Sequence, residues 1–179
     1  VISSGVVTTI AGSSQGSTDA TGTNAQFYSP TGITTDGTNL YVSEHNNQTI
    51  RQIVISSGVV TTLAGTALAT GTTDATGTSA RFNQPRQITT DGKNLYVVER
   101  ENNTIRKISS SPMGGSIQGT ELSLSTAVTT FAGNSSGSTD ATGTSASFDT
   151  PFGITTDGTN LYVADRGNHR IRKIVIDNG

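Results

Sequence analysis

Apolar residues along this chain fall in short alternating runs, punctuated by Gly, Asn, Asp and Ser. In "NLYVSE" (39–44), Leu40 and Val42 share one side of an extended chain and Tyr41 takes the other. Ahead of it lies "GITT" (32–35), separated by Asp36-Gly37, a pair suited to the positive φ of tight hairpin turns. A short polar loop leads to "TIRQIVI" (49–55), "SSG" turns the chain again, and "VVTTLAG" (59–65) completes the unit. This pattern predicts four short antiparallel strands per unit. Apolar groups on both faces predict a sheet covered on both sides, as in sheets stacked radially.

The unit is written three times. "VVTTIAG" at 6–12 returns as "VVTTLAG" at 59–65 and "AVTTFAG" at 127–133, and "DATGT" stands at 19–23, 74–78 and 140–144. Phe27 and Pro30 recur as Phe82 and Pro85, then as Phe148 and Pro151. The "TIRQI" run at 49–53 recurs as "TIRKI" at 104–108 and "RIRKI" at 170–174. A fixed period of this kind signals a repeat architecture in which each unit buries its face against the next. We divide the chain into one domain of three repeats, about 1–53, 54–108 and 109–179. The third is lengthened by 109–126, where Pro112, Met113, Gly114 and Gly115 interrupt the strand pattern and predict an enlarged hairpin.

The stretch "FDTPFGITTDGTNLYVADRGNHRIRKI" (148–174) resembles the NHL repeat: F-x-x-P-x-G-I, then L-Y-V-A-D, then N-x-x-I-x-K-I. The other units match with mild departures, at Gln87 for the Gly and at Glu44 and Glu99 for the Asp. The leader 127–148 is similar to that of long-form NHL repeats of bacterial secreted or surface proteins. The resemblance implies an all-β fold, a β-propeller of four-stranded blades. Three blades would then be half of a six-bladed ring. The opening "VISSGVVTTIAG" reads as the end of a third strand plus a fourth, and the closing "IRKIVIDNG" as a third strand. We therefore expect a homodimeric ring, each copy lending its N-terminal strand to the other's last blade, because a half-turn association closes after two subunits. The other expectation is a chain that forms half of a longer propeller.

Composition narrows the functions. With 11 basic and 13 acidic residues the net charge is −2, which argues against nucleic acid as a partner. There is no Cys, hence no disulfide, thiolate metal site or Cys nucleophile, and no apolar run long enough to span a bilayer. Charged residues are only 13%, so the surface is written in Thr, Ser, Asn and Gly. Together with the resemblance, this gives the expectation of a bacterial extracellular, cell-surface or periplasmic protein.

Candidate chemistry gathers in the loops after the second and fourth strands, where a rigid scaffold usually carries binding. Glu44, Glu99 and Asp165 recur at fixed offsets from Arg51, Arg106 and Arg172 and read as blade-building pairs. Asp19, Asp74 and Asp140 supply one carboxylate per loop, too few for calcium, and read as Asx-type turns. Calcium or another divalent ion would be an adventitious guest there, so no cofactor is assigned. Phe27, Phe82 and Phe148 read as wedges between blades. The positions that differ between units are the candidate binding face: His45, Arg100, Glu101, Arg166 and His169. Two histidines are too few for a tight metal site. The family's amidating-lyase activity, which needs several, is not carried over. No catalytic motif is present, so no catalytic residue is named. The leading expectation is a non-enzymatic scaffold for a protein, peptide or glycan. The alternatives are a metal-assisted lyase or hydrolase at the channel mouth and a half-propeller that only assembles.

Overall fold

The computed structural model describes residues 5–111 and 125–176. Three antiparallel sheets follow one another in chain order. The first holds β1 (Pro30–Thr35), β2 (Asn39–Glu44), β3 (Thr49–Val54) and β4 (Val60–Ala64). The second holds β5 (Pro85–Thr90), β6 (Asn94–Glu99), β7 (Thr104–Ser111) and β8 (Ser125–Ala132), with the short strand Ala75–Thr76 beyond β8. The third holds β9 (Pro151–Thr156), β10 (Asn160–Asp165) and β11 (Arg170–Val175). Each sheet is a meander, and the inner strands β1, β5 and β9 run side by side. The repeat spacing and strand order expected from the sequence are both present. The lengthened hairpin begins as expected, with Ser111 paired to Ser125, while its tip at 112–124 lies outside the described residues. Among the described residues, no helix is long and apolar enough to cross a membrane.

The hairpin signal works as read. Gly37 sits at φ 91° in the β1–β2 connection, and the Asp36 carboxylate accepts the N–H groups of Thr38 (2.8 Å) and Asn39 (2.7 Å) and the Tyr41 hydroxyl (2.8 Å). The turn thus holds itself with side-chain bonds that a generic loop lacks. Asp91 and Asp157 repeat the arrangement with Tyr96 and Tyr162.

Two thin apolar layers lie between the sheets, and a third small cluster, Ala25, Val42, Ile53 and Val60, lies on the first sheet's outer face. Ile50 and Ala64 of the first sheet meet Phe82, Ile88, Val97 and Val128 of the second. Tyr96, Val98 and Ile105 on the second sheet's other face meet Phe148, Leu161 and Val163 of the third. Phe82 and Phe148 are therefore inter-sheet wedges, as their recurrence implied, while Phe27 is only partly buried and packs on the first sheet's outer face. Close approach also selects Gly32: a Cβ there would lie 2.5 Å from the Arg86 carbonyl, which also accepts the Ser43 hydroxyl.

Both ends of the stack present faces of the kind buried inside it. Ile33 is 58% exposed, while its equivalents Ile88 and Ile154 are 2% and 6% exposed. At the opposite end Ile171 is 75% exposed, while Ile50 and Ile105 are fully buried. The segment 6–12, which the sequence writes as a fourth strand, joins no sheet among the described residues, and Val7 is 93% exposed.

Candidate functional site

The recurrent charges form a scaffold hub in every sheet. Arg51 Nη1 donates to Glu44 (3.0 Å) and to the Gln26 carbonyl (2.9 Å); Nη2 donates to Asp19 (2.6 Å) and to the Thr18 carbonyl (3.1 Å). The guanidinium lies over the Phe27 ring at 5.0 Å. Arg106 and Arg172 repeat these bonds with Glu99 and Asp74, and with Asp165 and Asp140. Each Arg ties the leader loop to its sheet, so these residues belong to the frame.

The Asp of each leader departs from the Asx-turn expectation. Asp19 bonds Arg51 and takes the N–H (2.9 Å) and hydroxyl (3.0 Å) of Thr62 on β4. Asp74 does the same with Arg106 and Thr130 on β8. Its oxygens are occupied by partners 32 to 56 residues away in the same chain, which local spacing could not reveal.

Of the candidate face, His45, Arg100, Glu101 and Arg166 gather at the loop end of the inner strands. Arg86, on β5, stands among them. Its position is held by Thr31 and Phe152 in the other units, so the departure at "PRQ" (85–87) was the available signal. Arg86 Nη2 lies 3.4 Å from His45 Nε2, and its guanidinium sits over the Phe152 ring at 5.2 Å. Arg100 donates to Gln84 Oε1 (3.1 Å) and pairs with Glu101 (3.3 Å). Partial burial, then the charges of Arg86 and Arg100, push His45 below the usual imidazole range, with Glu101 opposing. Burial and the charge of Arg100 also lower Arg86, with Arg166 adding and Glu101 opposing. The cluster is therefore a positive spot that Glu101 only partly compensates, on an acidic chain.

His169 sits at the edge of this group, on the end face. With Phe152, Arg166 and Ile171 it lines an open cavity of about 370 Å³. Its equivalents do something the sequence did not disclose. Gln48 accepts the N–H of Gln84 (2.7 Å), and Asn103 accepts the N–H of Thr150 (2.8 Å), each bonding the next sheet. All three residues hold positive φ, at 63°, 55° and 56°.

A second, larger cavity of about 980 Å³ runs along the outer edge of β11, lined by Asp140, Thr142, Phe148, Arg172 and Ile174. In the first two sheets the corresponding edge is covered by β4 and β8. Among the described residues, no group of three or more His, Cys, Asp or Glu could hold a metal ion.

No family model matches the chain. It is 29% identical over 150 residues to NHL repeat-containing protein 2 from Bos taurus, covering 77% of this chain and 19% of that protein. An auxiliary nutrient binding protein from Bacteroides thetaiotaomicron superposes with a TM-score of 0.64 at 27% identity, over 79% of this chain and 36% of the other. A protein of unknown function from the same organism gives 0.63 at 25% identity, over 76% and 32%. The chain thus spans about a fifth to a third of the proteins it is similar to. These likenesses support the NHL-repeat reading and an all-β, propeller-like fold.

Proposed function

We propose, from the premise that this protein is built of NHL-type repeats, that it is a non-enzymatic binding scaffold. Its three sheets are three blades, half of a six-bladed ring that a second copy completes. The ligand, a protein, peptide or glycan, meets the loop face at the channel mouth. The similarity to a Bacteroides nutrient binding protein supports both a binding role and a bacterial surface or periplasmic setting.

The observation that carries the ring is the matching of the two end faces. Ile33 lies on one and Ile171 on the other, and the corresponding residues bury against each other's sheets twice inside the chain. Exposed apolar faces of this extent mark an interaction site. The groove beside β11 has the lining that receives β4 and β8 elsewhere, and 6–12 carries the sequence of such a strand. Light scattering after size exclusion tests the ring. The expected mass is twice 18.4 kDa, and a single-chain mass at every concentration overturns it.

A further inference from the structure

The geometry points to an oxyanion-binding site at the loop end of the inner strands, in which Arg86, Arg100, Arg166 and His45 receive the carboxylate or sulfate group of a small anionic ligand. This deepens the binding-scaffold reading and rests on it for the choice of face. It is independent of ring closure, because all four residues come from one chain.

The donor set is built and unspent. The chain's hub arginines each hold two carboxylates. Arg86 and Arg166 hold none among the described residues, and Arg100 has only Glu101. At the cluster Arg86 Nε, Arg100 Nε and His45 Nδ1 are shielded from solvent and lack a partner among the described residues; the hub residues Arg51 and Arg106 also leave Nε unpaired, so it is the missing carboxylates that set the cluster apart. For Arg86 to donate to His45 Nε2, that nitrogen must be the unprotonated one. The proton then resides on Nδ1, which is what makes that nitrogen one of the three donors.

Shielded unpaired donors cost free energy, and so do like charges held together. An oxyanion relieves both at once. A guanidinium fork matches the two oxygens of a carboxylate or sulfate, and such charge-assisted bonds are the strong ones. Phe152 holds the Arg86 plane by stacking and is itself 43% exposed, so it leaves an apolar surface beside the charged spot. That combination suits an anionic group carried on a compact body with an apolar face, such as an acidic monosaccharide, better than a bare ion.

The test is isothermal titration calorimetry of the full chain at low ionic strength with three probes: sodium glucuronate, sodium sulfate and glucose. We expect binding of glucuronate, sulfate or both, with glucose silent. Sulfate binding as tightly as glucuronate assigns a sulfated ligand group; glucuronate binding more tightly assigns a carboxylate. Arg86→Gln should weaken the affinity by at least about tenfold, as loss of a charge-assisted bond does. Arg166→Gln, at an exposed loop position, provides the same readout if the first variant misfolds, and Lys93→Gln at a distant hairpin should change nothing. On binding, the His45 imidazole shift in NMR should move with the same affinity. No heat with either anion, or an affinity that neither arginine variant changes from that of the unaltered chain, overturns the site. Failure here with a two-copy mass leaves the ring standing, and the reverse result leaves this site standing.

Discussion

Asp140 holds Arg172 at 2.6 Å, the distance at which Asp19 holds Arg51 and Asp74 holds Arg106, yet its side chain is 86% exposed where theirs are 44% and 46%. The difference lies in the neighbour. Asp19 and Asp74 also bind Thr62 of β4 and Thr130 of β8, while Asp140 faces the open groove beside β11. Thr9 stands in 6–12 where Thr62 and Thr130 stand in their runs, and Val7 stands where Val60 and Val128 stand, each only 1% exposed.

Val7 should therefore decide the assembly. Val7→Asp places a charge in the face that the groove would bury, while within one chain Val7 is 93% exposed and free to change. We expect the scattering mass to fall to 18.4 kDa with an unchanged far-ultraviolet spectrum. A mass that stays doubled would remove 6–12 from the interface.

Arg106 should be a costly hub residue to remove. Its side chain is 1% exposed and its partner Glu99 is fully buried, so Arg106→Ala leaves an uncompensated charge. Breaking a buried pair in this way costs about 3–5 kcal/mol. Urea unfolding of the variant should show a midpoint lowered accordingly, with a similar slope. An unchanged midpoint would show that the hub is dispensable.

Acid should loosen the hairpins first. Burial works against the Asp36 carboxylate, but the N–H groups of Asn39 and Thr38, the Tyr41 hydroxyl and the Asn39 amide outweigh it, holding the group at about 2. A pKa depressed in the folded state contributes stability above the ordinary value of 3.8, and this is lost as the pH falls toward about 2. Asp91 and Asp157 are lowered as well. Asp36→Asn should flatten the decline of the urea midpoint across that window. A decline as steep as that of the unaltered chain would assign acid sensitivity elsewhere.

The same hairpins predict an alkaline signature. Burial and the bond to Asp36 push the Tyr41 hydroxyl up to about 12; burial and then Asp91 raise Tyr96, and the bond to Asp157 raises Tyr162. Ultraviolet titration of tyrosinate should show these three ionising late. Asp36→Ala should bring Tyr41 back toward 10.0. A single transition at the ordinary value for all tyrosines would contradict the bonds to Asp36, Asp91 and Asp157.

Much of this molecule is legible without coordinates because its rules are local. Strand runs such as "NLYVSE" and turns such as Asp36-Gly37 are fixed by side-chain alternation and by allowed φ, both properties of adjacent residues. Threefold repetition then exposes Phe82 and Phe148 as wedges, since any face repeated in a stack must meet its neighbour. What only the tertiary structure decided is which residues from different sheets share one place. Asp74 reaches Thr130 across 56 residues, Arg86 reaches His45 across 41, and Gln48 bonds the backbone of Gln84. No sequence period encodes those distances. They arise because stacking the sheets brings their inner strands and loop ends together, turning scattered, unrepeated charges into one electrostatic spot.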